Sequence, residues 1–518
     1  MRMSQRRTFE QMREYFADPR KVESVADLKK LSGEAIEVMA WIFASGGDMS
    51  RMAPEVVSWL TESREAEGLR NVLGQILERE VGTRRFDNKS MAQIHPQGSK
   101  IGVLSMLVAA YMNTNTIVKE VSRGEHRMEA EATAWLCEMF GYDPETASGN
   151  ITTGGTLANQ LALWVARDAK MMELGGDNED HPIGKLTVLT NSYSHYSIDK
   201  VCHQLGMKLE KLPADGYKTN IVALRQRLEW MDSEMRKRIA AVVAVAGETE
   251  TGQVDDLNAI AEICEEYGVH FHVDAAYGGP FVLSRKGYLF KGINRADSIT
   301  VDPHKMMWTP YAAGAVLFKD RAKHALVQNG ARYLQASTNS GLTGRPSERN
   351  FGLSARGEGS MGPGGVIATW ATIKLFGKEG LASLLDHTLD MTEYAYKRVE
   401  KSEILSARQE LELNEFLIGL NLENEVLREL TQGRYNEVML LAKVYVDQVL
   451  GTYISLNEDI DGGRHAWRFI VVHPYTTEED VEELILNLEN TVVRLVNGDP
   501  KLEVEIKAIM EREKDWIN

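Results

Sequence analysis

Apolar residues recur every three or four positions along the first part of the chain. ADLKKLSGEAIEVMAWIFASGG and PEVVSWLTESREAEGLRNVLGQILEREV both carry such a stripe, so residues 1 to about 90 read as helices. A helical arm of this size has little core of its own, and it is expected to pack on another subunit or to cap its own domain. From 91 to about 320 the period changes. Short β-branched runs (Leu186–Leu189, Ala240–Val245, Val269–Val273, Ile299–Val301, Ala315–Phe318) alternate with helical stretches such as DDLNAIAEICEEYG. That alternation predicts a mainly parallel sheet with helices on both faces. Ligands of such sheets bind beyond the carboxyl ends of the strands.

Residues 330–365, ARYLQASTNSGLTGRPSERNFGLSARGEGSMGPGGV, interrupt this pattern with Gly, Ser, Asn and Arg, and a connection this long reads as a mobile functional lid or a disordered segment. Helices resume at Val366, and a further region follows with a strand-like WRFIVV and the stretch HPYTTEEDVEELILNLENTVVRLV. Thr477 before Glu478, Glu479 and Asp480 predicts a helix start, with acids in its first turn. The expected organisation is a helical segment at 1–90, a large α/β domain at 91–379 and a small α+β domain at 380–518.

Composition narrows the class only a little. With 43% hydrophobic and 26% charged residues the chain reads as an ordinary soluble globular protein. A formal charge of −16 argues against nucleic acid or an anionic membrane as the partner. Cys137, Cys202 and Cys264 form no CxxC pair and read as reduced, buried thiols. The opening MRMSQRRTFEQMREYF lacks the apolar core of a secretory signal, and no run approaches the ~20 apolar residues of a membrane span, so a cytoplasmic protein is expected.

The candidate chemistry centres on SITVDPHKMMWTPYAAGAVLFKD, residues 298–320. Lys305 follows a strand end and precedes a second buried strand. Sinking an unpaired ammonium is costly, so a lysine there is expected to have a depressed pKa, which suits imine chemistry with an aldehyde. Another strand ends at Asp274 in HVDAAYGG. A lysine and an acid at two strand ends are what pyridoxal phosphate needs, an amine for its aldehyde and a partner for its ring nitrogen. Gly154, Gly155 and Thr156 lead into an amphipathic helix, either as an anion cradle or as a glycine turn with a helix cap. The HxD pair has no third or fourth ligand at metal-site spacing, so no metal is expected. Gly357–Gly362 matches GxGxxG, but no strand precedes it and Pro363 follows, which argues against a dinucleotide site.

These segments together resemble the group II pyridoxal-phosphate amino-acid decarboxylases over roughly residues 80 to 480. HYS around His195, HVDAAYGG and DPHKM are most similar to the bacterial and archaeal tyrosine-decarboxylase branch. The resemblance implies the aspartate-aminotransferase fold (fold type I) and a homodimer with its sites at the interface. It implies that Lys305 carries the cofactor, Asp274 pairs with the ring nitrogen, and His195 stacks on the ring with Ala276 packed opposite. Gly155, Thr156 and His304 would lie at the phosphate, joined by Ser360 from the partner subunit, where Met361 replaces the usual basic residue. Thr249 would bond the cofactor's phenolic oxygen, with Thr251 the competing choice. Asp302 departs from members with asparagine there, and its carboxylate is expected to bond backbone or hydroxyl groups. Tyr333, in the lid, would return a proton to Cα. The implied activity is decarboxylation of an L-amino acid, aromatic first and acidic next. A carbon–carbon lyase of the phospho-sphingoid-base type, an aminotransferase and a non-catalytic scaffold remain alternatives.

Overall fold

The computed structural model describes residues 26–45, 48–66, 68–81, 87–117, 121–176, 182–327, 356–458 and 463–517. They fall into two compact units, Met1–Phe86 and Asp87–Asn518. In the first, the predicted stripes form α1 (Ala26–Ser45), α2 (Pro54–Glu65) and α3 (Leu69–Glu80). The second predicted stretch divides between α2 and α3, where Gly68 takes a φ of 69°, a conformation that costs glycine nothing. Val38, Ile42, Val56, Leu60 and Leu77 form a small core. Ile36, Trp41, Val72 and Ile76 stay exposed.

The second unit is built on a seven-stranded sheet. Its strands are β1 (Ser148–Thr152), β2 (Thr187–Asn191), β3 (Lys208–Leu212), β4 (Ile239–Val245), β5 (His270–Asp274), β6 (Ser298–Val301) and β7 (Gly314–Phe318). The order is β1-β7-β6-β5-β4-β2-β3. β2 to β6 pair in parallel, and β7 runs antiparallel to both its neighbours. Each of the five predicted runs is a strand. β1 and β3 escape the apolar-run criterion because their sequences, SGNIT and KLEKL, are polar.

Helices α4 (Lys100–Met112), α5 (Arg123–Met139), α6 (Gly155–Glu173), α7 (Ser197–Gln204), α8 (Leu257–Tyr267) and α9 (Gly364–Glu400) accompany this sheet. α8 shows why its sequence stops and starts where it does. The Asp256 carboxylate accepts from Ala259 N–H at 3.0 Å, and Gly268 closes the helix at φ 63°. β4 and β5 are buried along their whole length, as strands covered on both faces must be. Register matters for function here. Asp274 pairs with Val245 on one side and Thr300 on the other, so three strands end side by side.

A second, antiparallel sheet contains β8 (Leu405–Ala407), β9 (Glu415–Leu420), β10 (Ser455–Glu458) and β11 (His465–Ile470), in the order β8-β9-β11-β10. Phe416, Ile418, Trp467 and Phe469 form its core with Val438 and Ala442 of α10 (Tyr435–Gln448) and Val481 and Leu484 of α11 (Glu478–Val496). Thr477 caps α11 as the sequence predicts, in a reciprocal box with Asp480. α9 continues past position 380 and leaves helical geometry at Gly377 (φ 59°, ψ −169°). The three cysteines are buried and unbonded. Among the described residues, no helix is long and apolar enough to cross a membrane.

Candidate active site

The strand ends open on a cavity of about 510 Å³. Its lining includes Gly154, Gly155 and Thr156 after β1, His195 after β2, Thr249 after β4, Asp274 and Ala276 of the β5 end, and His304 and Lys305 after β6. Of the predicted site residues, only Tyr333 and Ser360 are not among this lining. Tyr333 lies outside the described residues, and Ser360 is exposed.

A turn after β6, closed by Lys305 N–H donating to Asp302 C=O at 2.9 Å, folds the Lys305 side chain back over Asp302. Lys305 Nζ lies 3.0 Å from Asp302 Oδ2. Two expectations change here. Burial does push the Lys305 ammonium down, but the carboxylates of Asp302 and Asp274 outweigh it and hold the lysine above its ordinary value. The shift is therefore opposite in direction to the depressed pKa expected. Asp302, expected to bond backbone or hydroxyl groups, instead serves as the counter-ion of Lys305 and stands 3.6 Å from His304 Nε2. His304 accepts at Nδ1 from Ala313 N–H (3.1 Å) and stacks on Tyr311 at 4.0 Å; burial pushes its pKa down to about 4, so the ring is neutral.

Gly155 starts α6 hard against this group. A Cβ at that position would meet Asp302 Oδ2 at 2.8 Å, so only glycine lets the helix start approach so closely. The leading N–H groups of a helix have no carbonyl behind them, and they make a site for an anion. One turn along the same helix, Asn159 donates from Nδ2 to Asp274 Oδ2 at 2.8 Å, and Ala276 N–H donates to Asp274 Oδ1 at 3.2 Å. His195 Nδ1 is 2.8 Å from Ser197 Oγ, and burial holds the ring's pKa below its ordinary value.

Of the two competing threonines, Thr249 lines the cavity, while Thr251 is buried and gives its hydroxyl proton to Glu248 at 2.8 Å. Burial, reinforced by the Glu250 charge, pushes Glu248 up to about 7. Arg468, from β11, donates to the carbonyls of Thr249 and Ala92, both at 2.7 Å. Sequence reasoning missed Arg468, Asn159, Tyr311 and Lys200, the last three of which line the cavity. Asn159 was findable, because it stands four residues after Gly155 and shares its helix face. Arg468 carries no local signal.

A glycine cradle, an acid at a strand end and a lysine around one cavity fit the donor and acceptor set of pyridoxal phosphate. Among the described residues no group of three or more His, Cys, Asp or Glu is placed to hold a metal ion.

Comparison with known proteins gives the same class. The chain is 31% identical over 306 residues to an aromatic-L-amino-acid decarboxylase of Bacillus atrophaeus, a match covering 57% of this chain and 59% of that one. It is 28% identical over 382 residues to a probable L-tyrosine/L-aspartate decarboxylase of Methanothermobacter thermautotrophicus, covering 72% of this chain and 89% of the relative. Among solved structures, the glutamate decarboxylase domain of a diaminobutyrate-pyruvate transaminase and L-2,4-diaminobutyrate decarboxylase from Vibrio parahaemolyticus superposes with a TM-score of 0.74 at 21% identity. That superposition covers 94% of this chain and 99% of that one, and it shows the shared fold, fold type I. The model of the pyridoxal-dependent decarboxylase conserved domain matches residues 62–415. The chain therefore belongs to the pyridoxal-dependent decarboxylase family, whose cofactor is pyridoxal phosphate.

Proposed function

We propose that this protein decarboxylates an aromatic L-amino acid, releasing the amine and CO2. The observation that carries the reading is the meeting of Lys305, Asp274 and the Gly155-led helix start around one cavity. When bound, pyridoxal phosphate supplies a sink for the electron pair left on Cα as the carboxylate departs. Lys305 gives up its proton to become the amine that holds the cofactor, with Asp302 the adjacent counter-ion. Asp274 would pair with the ring nitrogen, and the Gly155 and Thr156 N–H groups would hold the phosphate. Neutral His195 and small Ala276 bound a slot for a flat ring, and Thr249 offers a hydroxyl. Burial of the site removes water that would compete for these groups.

An aromatic side chain is supported by Ile94, Leu157, Tyr196 and Tyr311 in the lining and by the Bacillus relative's name. Lys200 in the same lining favours a second reading, an acidic side chain, as does the tyrosine/aspartate name of the archaeal relative. A screen of L-amino acids for amine and CO2 release by the cofactor-loaded chain decides. Turnover of aspartate or glutamate without tyrosine, lost in Lys200→Met, replaces the aromatic reading by the acidic one. Aldehyde release without CO2 overturns both.

The protein is further read as a cytoplasmic homodimer. Val103, Leu104, Leu107, Val108, Tyr111 and Met112 of α4 are all more than half exposed, with Leu375 of α9 at 61%. An apolar face of this kind needs a cover, and a second copy supplies one.

A further inference from the structure

Behind Asp274 stands a line of buried polar side chains that the reading above does not use. Asn159 Nδ2 is 2.8 Å from Asp274 Oδ2, and its Oδ1 is 3.0 Å from His272 Nε2. His272 Nδ1 is 2.9 Å from Ser298 Oγ, and the same oxygen is 2.9 Å from His270 Nε2. Asn159, His272 and Ser298 are at most 1% exposed.

One starting condition fixes every proton in this line. A carboxylate only accepts, so Asn159 must turn its NH2 to Asp274 and its oxygen to His272. His272 must then donate from Nε2, which leaves Nδ1 to accept the hydroxyl proton of Ser298. That hydroxyl, having given its proton away, accepts from His270 Nε2–H. The second amide proton of Asn159 goes to Ser197 Oγ at 3.1 Å, and Ser197 in turn gives its proton to His195 Nδ1. The line ends at His270 Nδ1, which has no hydrogen-bond partner among the described residues. His270 also lines a second cavity of about 800 Å³, together with Lys170 and Lys323.

We propose that Asn159, His272, Ser298 and His270 are positioning residues, forming a one-directional hydrogen-bond relay that orients Asp274 and, through Ser197, leaves the proton of His195 on Nε2. The relay rests on the reading of Asp274 as the ring-nitrogen partner. Neutral rings are required throughout, and burial pushes both His270 and His272 down to about 4. Every dipole in the line points its positive end toward the Asp274 carboxylate, so all of them stabilise its charge.

The test uses the full chain labelled with ¹⁵N in its histidine rings, with and without pyridoxal phosphate. The signals of His270 and His272 are identified by their loss in His270→Gln and His272→Gln. Both rings are expected to carry their proton on Nε2, with Nδ1 bare, from about pH 8 down to about pH 5. A proton on Nδ1 of either ring reverses the line and overturns the relay. A second arm measures pyridoxal phosphate binding to the cofactor-free chain. His272→Leu leaves Asn159 Oδ1 buried and unpaired, and should weaken binding about tenfold. His272→Gln, whose amide nitrogen replaces Nε2, should bring it back to within about threefold. Equal impairment in both variants reduces His272 to a packing role and overturns the proposal, as does wild-type binding in both. If Asp274→Asn binds cofactor normally while the predicted tautomers hold, the relay survives and the role of Asp274 falls.

Discussion

Asp302→Asn isolates the electrostatic control of Lys305. The substitution keeps the shape of the side chain, so the tight approach of Gly155 is undisturbed, and it removes one negative charge 3.0 Å from Nζ. At that distance the attraction is about 1.4 kcal/mol with the dielectric of water and about 5.5 kcal/mol at an effective dielectric near 20. Even the smaller figure multiplies the neutral fraction of the amine about tenfold at a given pH. The neutral amine is the form that attacks an aldehyde. Stopped-flow mixing of the cofactor-free chain with pyridoxal phosphate, followed by the visible absorbance of the lysine-bound cofactor, reads this directly. Capture near pH 7 should be at least about tenfold faster in Asp302→Asn, and the gap should close only as pH rises past the raised value of wild-type Lys305. Equal capture rates for variant and wild type between about pH 6 and 9 would show that Asp302 does not set the protonation of Lys305.

Lys305→Ala should abolish the visible band of the lysine-bound cofactor while leaving the fold intact; an unchanged band would assign the attachment to another lysine. Asp274→Asn should lower kcat by about ten- to a hundredfold, matching the ~1.5–3 kcal/mol of a hydrogen bond to a charged group, and wild-type turnover would remove Asp274 from the chemistry. His272, pushed down to about 4, keeps its ring neutral in the fold while the unfolded chain binds a proton below about pH 6.5. Stability from this group is thus present above pH 6.5 and lost as pH falls toward 4. Glu248, near 7, titrates in the same window with the opposite sign, so variant and wild type must be compared. Between pH 7 and 5 the urea-derived stability of His272→Gln should fall by about 2 kcal/mol less than that of wild type; parallel curves would refute the assignment. Leu107→Glu, on the exposed face of α4, should convert a dimer to monomers in sedimentation, whereas an unchanged mass would place the interface elsewhere.

The parts of this protein that were legible in its sequence share a physical reason. Strands covered on both faces are largely apolar, so β4, β5, β6 and β7 announce themselves, and the residues just past the ends of the parallel β4, β5 and β6 are the ones that face a ligand. Lys305, Asp274 and Thr249 were found in that way. β3 was not, because it lies at the sheet's edge and its sequence, KLEKL, is mostly polar. The sign of the Lys305 shift was misjudged because burial was weighed without its counter-ion, and that counter-ion lies only three residues away, at Asp302. Arg468 was out of reach, since its contact with Thr249 joins positions 219 residues apart.

Arg468 also sets a limit on how the strand β11 of this chain can change in length. Trp467 and Phe469 on either side of it are buried in the core of that sheet, while Arg468 points the other way, to the carbonyls of Thr249 and Ala92. Side chains alternate along a strand, so one residue inserted or lost within β11 would send the guanidinium into the aromatic core and an indole or phenyl ring toward the Thr249 and Ala92 carbonyls. Length changes in this strand are therefore penalised twice, once in the core of the small sheet and once at the loop that carries Thr249.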